Sequence, residues 1–201
     1  LDLVQFHASP SVEELEANGS IETLRELQRE GKVRFIGMSG TLPNLPSQVA
    51  IGAFDEFQIP YSVLQPEHEA AIAEASAAGA GIVIRGGAAR GVPTNWEGRQ
   101  NFMLPGTIAK DRWEGANLDD LLGGMSRMEF TLRFTLSSPD LDTTIVGTRS
   151  VEHLRDNVAA AEKGPLPADI VADTRIAVGP TSHSRSASSR APASRHADAT
   201  P

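Results

Sequence analysis

Cysteine is absent from this 201-residue chain, tyrosine occurs once, as Tyr61, and aromatic residues make up only 5% of the sequence. Without cysteine there is no disulfide framework and no thiolate-based metal or redox site. No run approaches the ~18 apolar residues of a membrane span, and no charged leader precedes an apolar segment. The expectation is a soluble, cytoplasmic protein with no membrane partner. Basic residues are also scarce, 18 against 26 acidic, for a net charge of −8. Residues 1–178 alone hold 15 basic and 25 acidic side chains, a net charge of −10. Such a body disfavours nucleic acid and anionic membranes. A local phosphate site remains compatible with it, because a helix N-terminus and one or two arginines suffice.

What is present is a repeated strand and helix pattern. Leu1 to Phe6 reads as a short strand ending at His7. Ser11-Val-Glu-Glu14 has capping-box spacing, for a helix start there or a loop before a second start near Ser20. Ile21 to Arg29 carries Ile21, Leu24 and Leu27 at helical spacing, Gly31 ends it, and Val33 to Gly37 reads as a strand. The pattern continues with a helix over Pro46 to Ala53, a strand over Phe54 to Ile59, a helix over Pro66 to Ala78 and a strand over Gly81 to Ile84. Residues 86–124 are glycine-rich and read as an extended loop, with Trp96, Phe102 or Trp113 available as an apolar wall for a ligand. Met125 to Leu136 restores helix and Thr143 to Val146 gives a last strand. Five strands separated by helices predict a parallel α/β architecture, either a barrel or an open doubly wound sheet. Residues 179–201 lack large apolar side chains and are expected to form a disordered tail, whose His183 and His196 have no fixed geometry for a metal.

Chemistry-bearing residues gather at strand ends. His7 stands where the first strand opens into a loop and could donate a hydrogen bond to a carbonyl oxygen gaining negative charge, or simply cap the strand. Ser39 and Gln58 are polar groups at the ends of apolar strands, suited to a planar ring or to loop backbone. Arg85 ends the fourth strand and precedes Gly86-Gly-Ala-Ala-Arg-Gly91, where a guanidinium could stack on a ring or meet phosphate. That turn has neither the Gly-Lys-Ser/Thr ending of a P-loop nor Gly-x-Gly-x-x-Gly spacing. In the last segment, Gly147, Thr148 and Arg149 lead to Ser150, a natural N-cap for a helix carrying His153, Asp156 and Asn157 on one face. Free N–H groups at that helix start make an anion cradle; an ordinary capped amphipathic helix would read the same way. No metal site is expected.

Taken together, Asp2-Leu-Val-Gln-Phe-His7, Leu24 to Ser39, Gln58 with Tyr61, Arg85 to Gly91 and Ile145 to Asn157 resemble the second half of the aldo-keto reductases. The resemblance covers nearly all of residues 1–162. It implies a (β/α)₈ barrel of the NADP-linked type, present from its fourth strand onward as about five of eight βα units. The partial barrel would fill residues 1–178. It also implies NADP(H) as hydride donor to a small aldehyde or ketone substrate. His7 would be the histidine of the family's Asp-Tyr-Lys-His tetrad, and Ser39 and Gln58 would hold the nicotinamide carboxamide. Arg85 would stand where a ring-stacking aromatic is common. Gly147, Thr148 and Arg149 would surround the adenosine phosphate, with His153, Asp156 and Asn157 toward adenine and its ribose.

This sequence departs from the family pattern at Gly40, where Asn commonly follows the serine, and at Arg85. The tetrad Asp, Tyr and Lys belong on earlier strands and have no room in the six residues before His7. Lys32, Lys110 and Lys163 occupy no comparable position. The chain alone is therefore expected to lack the general acid. An opened barrel would expose strand edges that favour self-association. A noncatalytic nicotinamide-nucleotide-binding or interaction subunit is the alternative reading.

Overall fold

Short runs of apolar and small residues form five strands: β1 (Leu3–Phe6), β2 (Phe35–Met38), β3 (Glu56–Pro60), β4 (Gly81–Arg85) and β5 (Thr143–Ile145). The computed structural model describes residues 1–94 and 105–179. All neighbouring strands pair in parallel, in the order β1-β2-β3-β4-β5. That order decides between the two architectures left open by periodicity. A doubly wound sheet reverses its strand order at a switch point and places helices on both faces. Here each strand follows its predecessor in one direction, so right-handed crossovers bring the helices that connect the strands to the same face.

The burial pattern agrees. Ile36, Met38, Ile59, Ile82 and Ile84 are fully buried on one face, against the helices. The other face carries Leu3, Gln5, Phe35, Gln58, Val83, Arg85 and Ile145 and is largely open. The result is a partial α/β barrel of five strands, with its inner wall unclosed among the described residues.

The helices are α1 (Val12–Ala17), α2 (Ser20–Arg29), α3 (Leu45–Ala50), α4 (Glu69–Ala77), α5 (Gly106–Gly115), α6 (Arg127–Leu136), α7 (Val151–Glu162) and α8 (Ala168–Val178). Both starts expected near Ser11 and Ser20 exist. Ser11 and Glu14 form the reciprocal capping box of α1, and α2 follows after Gly19, which takes a positive φ. Asp55 and Asp142, just ahead of β3 and β5, tie adjacent strands together. Each accepts a backbone N–H, from Ile36 at 2.8 Å and from Ile82 at 2.7 Å.

Two parts of the sequence reading change. Residues 86–124 are not simply a loop, because α5 forms within them, between 3₁₀ turns at Ala89–Thr94 and Leu118–Leu121. Trp113 is its anchor. It is fully buried, edge-on to Phe130 at 6.0 Å, and its indole N–H donates to Asp119 at 3.0 Å. It is core and not a ligand wall, whereas Trp96 and Phe102 lie outside the described residues. Helix α8 was also missed. Its Ile170, Val171, Thr174 and Val178 have helical spacing after Pro167, and Val171 and Thr174 are buried. Of the expected tail, residues 180–201 lie outside the described residues.

Candidate active site

The C-terminal ends of β4 and β5 open into a cleft of about 920 Å³. Arg85 and Gly86 enter it from β4, Gly147 and Thr148 from the turn after β5, and His153, Asp156 and Asn157 from α7. Arg149 lies beside it on the exposed turn. The turn is built by local hydrogen bonds. Thr148 Oγ1 accepts the Ser150 N–H at 3.1 Å, and Ser150 Oγ accepts the His153 N–H at 3.2 Å. The start of α7 is thereby fixed with its Val151 and Glu152 N–H groups at the helix terminus, the usual seat of an anion. A Cβ at Gly147 would meet no atom within 4 Å, so the backbone there is open to a close approach.

The opposite wall combines close packing with charge. Gly87 is held so tightly that a Cβ would collide with Thr144 Oγ1 and come within 3.0 Å of Thr135 Cγ2. Its carbonyl accepts the Thr135 hydroxyl at 2.8 Å. The next turn carries Ala89 and Arg90 at positive φ, 44° and 53°, a conformation sustained only where surrounding contacts enforce it. It brings Arg90 to the cleft beside Arg85. Burial draws the Arg85 guanidinium below the ordinary arginine value, and the neighbouring Arg90 charge draws it further.

Three cationic residues, Arg85, Arg90 and Lys163, line the cleft against the carboxylates Glu129 and Asp156. Glu129 is already engaged by Lys163 at 2.9 Å and Arg133 at 3.2 Å, which hold its carboxyl below the usual range. A locally cationic cleft thus sits in a body of net charge −10. Its α6 rim is held by a clamp that sequence reasoning did not find. Arg127 grips Asp119 through two nitrogens at 2.6 and 2.7 Å and lies over the Trp113 ring at 5.5 Å.

The remaining candidates stand on neighbouring strands and outside this cleft. His7 is exposed just beyond β1. Its following loop is pinned: Asn44 donates to the Ser9 carbonyl at 2.9 Å, and Gln48 donates to the Pro10 carbonyl at 2.7 Å. Ser39 is buried beyond β2, its N–H donating to the Phe6 carbonyl at 2.8 Å. Gln58 lies on the open face of β3 and donates to Gln5 at 3.4 Å. At Gly40, a Cβ would come within 2.7 Å of Leu45 Cδ1 and 2.8 Å of Gln48 Oε1. Neighbouring side chains therefore fill the space an asparagine would need. Tyr61 is sealed in the core, 1% exposed, stacked on Phe134 and bonded to Glu69 at 3.3 Å. Burial and the Glu69 charge raise its phenol above the ordinary value.

The aldo/keto reductase family model matches residues 1–178. The chain belongs to the aldo/keto reductase family. It is 24% identical over 179 residues to an uncharacterized oxidoreductase, YqkF, of Bacillus subtilis, covering 80% of this chain and 55% of that protein. Among solved structures, aldo-keto reductase AKR11C1 of Bacillus halodurans in its holo form superposes with a TM-score of 0.73 at 24% identity. The match covers 92% of this chain and 61% of that one. The thermostable aldo-keto reductase Tm1743 gives a TM-score of 0.62 at 19% identity, over 89% of this chain and 60% of that one. These likenesses show a shared fold, and the chain spans roughly three-fifths of the length of the relatives it matches. Among the described residues there is no cluster that could hold a metal ion and no helix long and apolar enough to cross a membrane.

Proposed function

We propose that this chain is the cofactor-holding portion of a cytoplasmic NADP(H)-dependent aldo-keto reductase acting on an aldehyde or ketone. The observation that carries this is the cleft. Paired arginines, an open glycine backbone, a capped helix start and three polar residues of one helical face converge on a volume suited to a nucleotide. The donor set fits an anionic dinucleotide, which when bound would supply the hydride. Arg85 and Arg90 would face its phosphates, and their mutual repulsion would be relieved by that negative charge. Gly147, Thr148, Arg149 and the start of α7 would surround the adenosine phosphate, with His153, Asp156 and Asn157 beside the adenine and its ribose. Ser39 and Gln58 would orient the nicotinamide carboxamide. His7, exposed at the end of β1, would donate a hydrogen bond to the substrate carbonyl oxygen and hold it in line for reduction.

Proton delivery to the resulting alkoxide needs an acid at the same mouth, and the chain's single tyrosine is buried on the helix side of the sheet. That placement favours a second reading, in which the chain binds the nucleotide without turning over a carbonyl. Titration of the chain with NADPH, followed by nicotinamide fluorescence and then by absorbance after adding a reactive aldehyde, separates the two. Binding with turnover supports the enzyme reading and requires a different acid from Tyr61. Binding without turnover supports a cofactor-holding part. Absence of binding rejects both for this chain.

A further inference from the structure

The open face of the sheet carries a buried acid that the proposed function leaves unused. Glu56 begins β3 and is 8% exposed. Gln5 of β1 and Glu56 stand on either side of Gly37 of β2, which is in register with both. Gly37 makes the bridge possible, since a Cβ there would collide with Glu56 Oε2 and come within 2.9 Å of Gln5 Cγ. Across that gap Gln5 Nε2 donates to Glu56 Oε2 at 2.7 Å. Gln58, two residues further along the same face of β3, donates from Nε2 to Gln5 Oε1 at 3.4 Å.

We propose that Glu56, acting through Gln5, fixes the direction of the Gln58 amide, so that its oxygen is the end offered to a ligand bearing an N–H donor such as a carboxamide. A primary amide can donate from one end and accept at the other, so two glutamines in series can be read in either direction. An ionised carboxylate only accepts, and this breaks the symmetry. With the Gln5 NH₂ committed to Glu56, the Gln5 oxygen is turned toward Gln58 and takes its NH₂. The Gln58 oxygen then remains as acceptor.

A glutamine at position 56 could make the same reach without placing a carboxyl in a buried site, but it would leave the chain readable both ways. The carboxyl is kept at a cost. Its second oxygen, Oε1, accepts no hydrogen bond among the described residues, and burial raises its pKa above the ordinary value. Glu56 and Gln5 are thus positioning residues. The ligand chemistry assigned to Gln58 rests on the cofactor reading above, whereas the amide direction rests on the hydrogen bonds alone.

The test uses the 201-residue chain, with Glu56→Gln as the shape-matched variant and Gln5→Met as one that removes the relay at similar volume. In ligand-free protein, the side-chain amide resonances of Gln58 should shift and lose protection from exchange in both variants. In titrations, the wild type should prefer NADP⁺ over its 3-acetylpyridine analogue, which lacks the carboxamide NH₂, by about tenfold. Both variants should erase that preference while keeping their affinity for the analogue. Unchanged Gln58 resonances in Glu56→Gln would overturn the proposal. So would an equal loss of affinity for both dinucleotides, which marks general loosening. If the wild type binds neither, the cofactor reading falls, and the resonance comparison alone decides the direction of the amide.

Discussion

Single atoms set the two ends of this site. Ser150 Oγ holds the His153 N–H and so fixes the start of α7, the segment that brings His153, Asp156 and Asn157 to the cleft. Ser150→Ala should cost about 1 kcal/mol of stability in urea denaturation, the usual worth of an N-cap. It should also weaken NADPH binding in fluorescence titration by more than that loss of stability explains, because the anion seat is loosened directly. At the opposite end Glu56 gives a prediction with a definite sign. Its pKa is raised above the ordinary 4.5, chiefly by burial, so the folded state holds its proton more tightly than the unfolded one. Its contribution to stability is therefore fully present below pH 4.5 and declines as pH rises through the folded value. Glu56→Gln removes that decline. Urea midpoints of wild type and variant should lie close together near pH 4 and diverge in the variant's favour toward pH 7. A difference that does not change with pH would show that burial in the fold does not raise the carboxyl's pKa.

At the scale of elements, the glycine turn after β4 depends on the contact between Gly87, Thr144 of β5 and Thr135 of α6. Gly87→Ala should destabilise the chain by ~1–3 kcal/mol, as overpacking does, because the new methyl group pushes β5 from α6. Adding Thr144→Ala should restore part of that loss, a coupling that a double-mutant cycle in urea would measure. The strands and most helices were legible because their signals are local: the capping box Ser11 to Glu14, the Ser150 cap, and apolar runs such as Gly81-Ile-Val-Ile84. Helix α5 was not, because its apolar residues are few and its anchor, Trp113, gains meaning only from Phe130, Asp119 and Arg127, which follow it in sequence. The cleft shows the same limit. Arg85 and the residues of α7 were each readable as ligand contacts. The partnership of Arg85 with Arg90 was not, because it depends on the positive φ angles of Ala89 and Arg90.

For the molecule as a whole, the consecutive strand order that places the connecting helices on one face leaves β1 and β5 as edges among the described residues. Apolar side chains follow those edges. Leu3 of β1 and its register partner Phe35 of β2 are exposed at 38% and 46%, and Ile145 of β5 at 50%. Val151, Leu154 and Val158 repeat along one face of α7 at 65%, 49% and 50% exposure. Spacing of three and four residues makes that last set a continuous stripe, and an exposed apolar stripe, like an open strand edge, is a surface on which chains associate. The net charge of −10 over residues 1–178 opposes association at long range, but salt screens it within about 10 Å at 0.1 M. Self-association of the chain should therefore increase with both protein concentration and salt in sedimentation velocity. Leu154→Lys with Val158→Lys should abolish it, and the urea midpoint should barely change, because both side chains already face water. If the double variant still associates, the contact belongs to the strand edges. Ile145→Lys, on the open face beside Arg85, would then be the substitution that prevents it.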